Sequence, residues 1–200
     1  MDRREALKRT AWIMGGVVSA PTIMAVLKGC AAKPTIDWKP VFFTEPQGAL
    51  VATVAEIIIP KTDTPGAKDT GVPAFIDLML KDAYDQDAQE HYSKGLKEFD
   101  EAAEKEYGDP FIELKPEQQA AFVKKVHDAA VEEERNRKKP EPGKPAPKRS
   151  FILFTKELTL LGFFTSQPGA TQVLQYEAVP GAYKGCIPLK EAGNGKTWAT

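Results

Sequence analysis

The sequence predicts a mostly α fold, a single compact domain of about five helices joined by long irregular Gly/Pro-rich loops and ending in an irregular C-terminal tail. Three observations carry that expectation. No segment alternates apolar and polar residues long enough to make a strand. Apolar residues instead recur three and four apart in five successive segments. The stretches 60–73, 138–149 and the tail from 176 are dense in Pro and Gly, which punctuate helices rather than continue them.

Taken in order, residues 31–43 are aperiodic and read as an extended tether, with the domain running from 44 to 200. Thr44 stands where a helix cap is needed, Pro46 suits the first turn, and Leu50, Val51, Val54, Ile57 and Ile58 share a face until Pro60. The segment 60–73 is too rich in turn formers for a helix, yet it joins two strongly apolar ones. It is expected to be ordered by what it packs on. Pro73 opens a second helix with Phe75, Ile76, Met79 and Leu80 on one side and Lys81, Asp82 and Asp85 opposite. A third runs roughly over 87–107, striped by Tyr92, Leu96, Phe99, Ala103 and Tyr107, with Gly108 as its stop.

A fourth helix starts at Pro116, passes through Phe122, Val126 and Ala129 or Ala130, and ends in the charged run EEERNRKK, a solvated helix end. Residues 138–149 hold four prolines and read as a flexible insert, tolerated because loop closure costs little more as a loop lengthens. Ser150 then stands as cap to a fifth helix in which Phe151, Ile152, Leu153, Phe154, Leu158, Leu160, Leu161, Phe163 and Phe164 leave almost no polar face. A helix that is apolar all round is covered on more than one side, and in a domain this small another chain is expected to cover part of it.

Composition excludes several function classes. With 27 Lys/Arg against 28 Asp/Glu the chain has no basic excess to offer nucleic acid. The charge is nevertheless uneven, since residues 1–30 hold five Lys/Arg against two acids and the remainder 22 against 26. A basic head on a mildly acidic body fits a signal on a cargo. Arg3, Arg4, Leu7 and Lys8 match the twin-arginine export address used by proteins that cross a membrane already folded, while Asp2 and Ala6 depart from it. The apolar run 11–27 is broken by Gly15, Gly16, Ser19, Pro21 and Thr22, which fits a signal better than a permanent span. Leu27-Lys28-Gly29-Cys30 is close to a lipobox, with Lys28 out of pattern. An acylated Cys30 would tether the domain to a membrane, and would leave Cys186 without a disulfide partner.

No catalytic set is visible in the linear order. Gly-rich nucleotide loops, CxxC and CxxCH are absent from the sequence. His91 and His127 are each flanked by helix surface residues, with no Cys or second His at ligand spacing, and read as ordinary surface or boundary histidines. Asp63 and Asp69 lack calcium-loop spacing and read as turn and cap residues. Ser166 and Cys186 have no base nearby in sequence, so the expectation is no catalytic, cofactor or metal residue in this chain. More telling are three stretches that set aromatics beside rigid turns, IIPKTDTPGA, LLGFFTSQPG and LQYEAVPGAYKGC, a composition suited to a protein interface. The expected contact residues are Thr62, Asp63, Thr64, Pro65, Gly66, Phe163, Phe164, Thr165, Ser166, Tyr176, Pro180, Gly181 and Tyr183, with closure of the domain's own core as the alternative role.

Those stretches, together with GVPAFID and GLKEFD, resemble the gluconate 2-dehydrogenase subunit 3 family over about residues 50–189. The most specific parts are TDTPGA at 62–67 and GFFTS at 162–166, where the family often has Tyr in place of Phe163; the insert 138–149 is a departure. The resemblance implies a small, non-catalytic subunit of a membrane-associated sugar or polyol dehydrogenase. In such complexes FAD sits in a large subunit of the glucose-methanol-choline type, and a cytochrome c subunit often takes the electrons. It also implies that the small subunit's leader engages the twin-arginine translocase for both chains, giving a periplasmic, membrane-tethered complex. An independent periplasmic binding or scaffold lipoprotein is the alternative.

Overall fold

The computed structural model describes residues 36–137 and 148–199, apart from 180, 183, 184, 189 and 192–194. Five α-helices account for most of them: α1 Glu45–Ile58, α2 Val72–Asp82, α3 Gln86–Tyr107, α4 Pro116–Asn136 and α5 Phe151–Thr165. A 3-10 turn, Phe111–Glu113, leads into α4, and a π turn, Gly169–Val173, follows α5. Among the described residues the one β feature is an isolated parallel bridge between Gln175 and Trp198.

Each helix starts and stops for a local reason. At α1 the backbone N–H of Thr44 donates to Gln47 Oε1 at 2.9 Å, a reciprocal device for the unpaired first turn. Asp85 caps α3 by accepting from Ala88 N at 2.8 Å, and Gly108 ends it at φ 86°. The connection to α4 is fixed by Asp100, which accepts from Phe111 N at 2.9 Å, and by buried Gln119, whose Nε2 donates to Phe111 O at 3.0 Å. Ser150 has the backbone of an N-cap, but its hydroxyl makes no capping bond. Its Oγ is buried without a hydrogen-bond partner, so the expected side-chain cap is absent.

The core forms around α5, which packs against α1, α2, α3 and α4. Phe43, Tyr92, Phe99, Phe111, Phe122 and Phe151 make one chain of tilted and edge-to-face rings with centroids 5.0–6.2 Å apart, the geometry favoured by the ring quadrupole. Tyr92 needs a partner for its hydroxyl there and finds Thr155 Oγ1 at 2.8 Å. Burial raises its phenol above the ordinary tyrosine range, and the Thr155 bond offsets this in part. The predicted stripe of α3 is buried at Tyr92, Leu96, Phe99 and Ala103, while Tyr107 at its end is half-buried.

Two contacts fix the relation of α2 to α5. A Cβ placed at Gly162 would lie 2.6 Å from the Phe75 ring, so the two helices meet there over a bare backbone. At the other end, just past the last residue of α2, Tyr84 stacks edge-on to Phe154 near the start of α5 at 5.0 Å. The helices are therefore antiparallel, and the start of α2 shares an end of the domain with the finish of α5.

The stretch read as the end of a tether is docked. Trp38 lies over Gly48, and Phe43 is buried. Asp77 on α2, 1% exposed, accepts from the backbone N–H groups of Val41, Phe42 and Phe43 at 2.7, 3.0 and 2.8 Å. A buried carboxylate needs such donors, because desolvation otherwise makes its charge costly. At the insert, Lys148 pairs with Asp87, Arg149 pairs with Glu157, and Arg149 O lies 2.7 Å from His91 Nε2, so its C-terminal end is held to α3 and α5.

Candidate partner interface

The loop 60–71 owes its order to a residue that local composition does not single out. Glu56, on the last turns of α1, accepts from Lys61 N at 3.1 Å with one oxygen and from Lys68 N at 2.9 Å with the other, drawing both ends of the loop onto one carboxylate. Gly66 lies against that carboxylate so closely that a Cβ there would stand 2.4 Å from Oε1 and 2.7 Å from Lys61 N. Glycine is required by space at this point. Ala67 N donates to Ile59 O at 2.9 Å, and Asp69 accepts from Gly66 N at 3.3 Å and pairs with Lys61 at 3.0 Å. The Lys61 bond first, then the Gly66 N–H, hold the Asp69 carboxyl below the usual carboxylate range.

A loop pinned from beneath presents its tip. Thr62 and Asp63 are exposed, Thr64 and Pro65 half-buried and Gly66 buried. The tip is closed by Thr62 N donating to Thr64 O at 3.0 Å. Because this loop runs into α2, it enters the end of the domain at which α5 stops, bringing the first predicted stretch to the same end as the second.

The second stretch divides in two. Phe163, 2% exposed, points into the core, so its side chain supports the surface and does not form it. Phe164 is 37% exposed and meets the Phe163 ring edge-on at 5.3 Å. With Leu160 and Leu161, 37% and 45% exposed, it makes an i, i+1, i+4 stripe down the outer side of α5. Leu78, on the antiparallel neighbour α2, is 52% exposed. Thr165 is exposed with its hydroxyl returned to Leu161 O at 2.7 Å. Ser166 donates to Phe163 O at 2.6 Å and accepts from Gly169 N at 3.1 Å, turning the chain out of the helix.

The third stretch is the least covered. Gln175 N donates to Thr197 O at 2.8 Å and Ala199 N to Gln175 O at 2.7 Å, clipping the two limbs of the tail together. Tyr176 at 59%, Val179 at 82%, Ile187 and Trp198 stay exposed, and so does Gly181. Pro180 and Tyr183 lie outside the described residues, as do Arg3, Arg4, Leu7, Lys8 and Cys30 of the leader.

Chemically this surface offers apolar area, the hydroxyls of Thr62, Thr165 and Tyr176, and the carboxylates of Asp63 and Glu177. Among the described residues no group of three His, Cys, Asp or Glu side chains could hold a metal ion, and no helix is long and apolar enough to cross a membrane. Sequence reasoning missed Glu56 and Asp77, whose backbone partners lie up to 12 and 36 residues away.

Comparison with known proteins adds one positive result. Neither the curated proteins nor the solved structures contain a match to this chain. The family model described as gluconate 2-dehydrogenase subunit 3 matches residues 45–181, from the first residue of α1 across all five helices and the first two Gly/Pro-marked stretches, and into the third as far as Gly181. By that match over more than half its length, the chain belongs to the gluconate 2-dehydrogenase subunit 3 family and is of the kind that serves as one subunit of a dehydrogenase complex.

Proposed function

We propose that the chain is the non-catalytic small subunit of a periplasmic sugar or polyol dehydrogenase, escorting a folded, FAD-loaded catalytic subunit of the glucose-methanol-choline type through twin-arginine export. The observation that carries this reading is the outer stripe of α5, where Leu160, Leu161 and Phe164 face outward on a helix whose remaining faces already form the core. Apolar area in that position serves a lasting protein contact, and a contact that survives translocation has to be of the large, obligate kind. Arg3, Arg4, Leu7 and Lys8 supply the address, acylated Cys30 the membrane tether, and a cytochrome c subunit the electron exit. Oxidation itself belongs to the flavoprotein.

The test is to express the flavoprotein in its native host with this chain intact, deleted, or carrying Lys in place of both Arg3 and Arg4. Flavin-loaded enzyme should reach the periplasm only with the intact chain. Undiminished periplasmic activity after deletion removes the proposal. Mass spectrometry of the mature N-terminus reads the tether directly.

A further inference from the structure

Away from the apolar surface, where α4 packs on α5, the fold assembles a set that the linear order hides. Lys156 Nζ lies 2.8 Å from His127 Nε2, and His127 Nδ1 lies 3.2 Å from Asp128 Oδ1. An ammonium has only donors, so Nε2 accepts, which places the imidazole proton on Nδ1, where it is donated to Asp128. The other Asp128 oxygen takes Lys124 Nζ. The order amine, imidazole, carboxylate is that of a nucleophile, its base and the group that orients the base. The His127 side chain is 27% exposed and Lys156 half-buried, so both reach solvent without being lost in it.

Both residues line a cavity of about 220 Å³ whose other walls include Ile57, Ile58, Val123 and Ile152. That is room for roughly seven water volumes. Ile57, Ile58, Ala120, Val123 and Ile152 give the walls hydrocarbon, and His127, Lys156 and Lys124 supply the polar atoms, so the cavity suits a small, mainly apolar molecule with one polar end. Lys124 is the further cation at this cavity, and it is already engaged by Asp128.

We propose that Lys156 captures small apolar aldehydes and ketones as an imine, with His127 as its base and Asp128 holding the His127 tautomer. His127 Nε2 takes a proton from the Lys156 ammonium, the freed amine adds to the carbonyl carbon as the C=O π pair moves onto oxygen, and a second nitrogen proton passes to that oxygen to give the hydroxyl of a carbinolamine. The imidazolium returns its proton to that hydroxyl, which leaves as water as the nitrogen lone pair closes the C=N bond. The balance is one ammonium and one carbonyl giving one protonated imine and one water, with His127 restored. The inference goes beyond the accessory role and does not depend on it.

The experiment treats the full-length chain at pH 7 with butanal and cyanoborohydride, and follows reductive alkylation at each lysine by peptide mass mapping. Lys97, exposed and paired with Glu101, is the internal reference. Lys156 should be alkylated about a hundredfold faster or more, the lower end of what a positioned base contributes. His127→Phe should bring it to the Lys97 rate, and His127→Gln, which keeps a polar group of similar reach, should do the same. Far-ultraviolet dichroism and an unchanged Lys97 rate confirm that the variants are folded. Equal labelling of Lys156 and Lys97 in the unaltered chain overturns the proposal, as does a fast Lys156 that ignores both His127 variants.

Discussion

The outer faces of α3 and α4 and the outer face of α5 belong to the same domain and the same kind of element, but they are finished differently. On α3, Lys94 pairs with Glu98 and Lys97 with Glu101, and on α4 Lys124 pairs with Asp128, all at i,i+4 spacing. On α5 the corresponding outward positions are Leu160, Leu161 and Phe164. Intrinsic helix preference does not require the difference, since Lys, Glu and Leu are all good helix formers. What differs is the medium each face suits, water for the charged pairs and, in the function proposed above, protein for the apolar stripe.

The largest expected effect comes from making α5 resemble α3. Leu161→Glu with Phe164→Glu places two carboxylates on the outer stripe, where the folded subunit alone can solvate them. Its thermal stability should change by no more than about 1 kcal/mol, as for other surface changes. Binding of the proposed flavoprotein should fall about a hundredfold, about 3 kcal/mol, because a contact with such a patch would have to bury the new charges. Co-purification from a shared extract and calorimetry on the isolated subunit read the two quantities separately. Retained binding would show that the stripe is ordinary surface.

A second break concerns charge inside the domain. Asp77 is the opposite of the α3 pairs, a buried anion with three backbone donors. Asp77→Asn turns one of its two acceptor oxygens into a donor facing backbone N–H groups. The expected cost is about 2–3 kcal/mol, from lost charge-assisted bonds and a donor left unpaired. For a domain of this size that lowers the unfolding midpoint by about 5–10 °C in a thermal scan. Hydrogen exchange at residues 41–43 should accelerate before that of α3, since the strap loses its anchor directly. A midpoint within 1 °C of the parent would mean that the strap contributes nothing.

The same contrast explains what was legible from sequence. The α3 stripe was readable because Tyr92, Leu96, Phe99 and Ala103 are placed by period alone. The faces of α5 were not, since a helix apolar on every side carries no periodic signal to separate Phe163, which is buried, from Phe164, which is not. The three Gly/Pro and aromatic stretches stood out by composition, and the first two reach one end of the domain through the antiparallel packing of α2 on α5. Glu56, Asp77 and the pair His127–Lys156 were invisible for a different reason. Each acts on atoms 5 to 36 residues away, and only the fold brings those atoms within 3.1 Å. Ser150 fails in the reverse sense, correctly placed at a helix start but with its hydroxyl turned from the amides it was expected to cap.

The smallest effect tests the water-facing side. Lys97 Nζ stands 3.5 Å from Glu101 Oε1, and the two side chains are 77% and 61% exposed. Solvent screens such a pair and ordering two long side chains costs entropy, so Lys97→Ala should change stability by no more than about 0.5 kcal/mol, with a coupling to Glu101→Ala of about 0.3 kcal/mol in a double-mutant cycle. Raising the salt concentration should erase that coupling, since the attraction acts through water. Flavoprotein binding should be untouched in all three variants. If instead removing the α3 charges weakened the complex while the α5 carboxylates did not, the two faces would have exchanged roles, and the ordered pairs on α3 would be the contact surface.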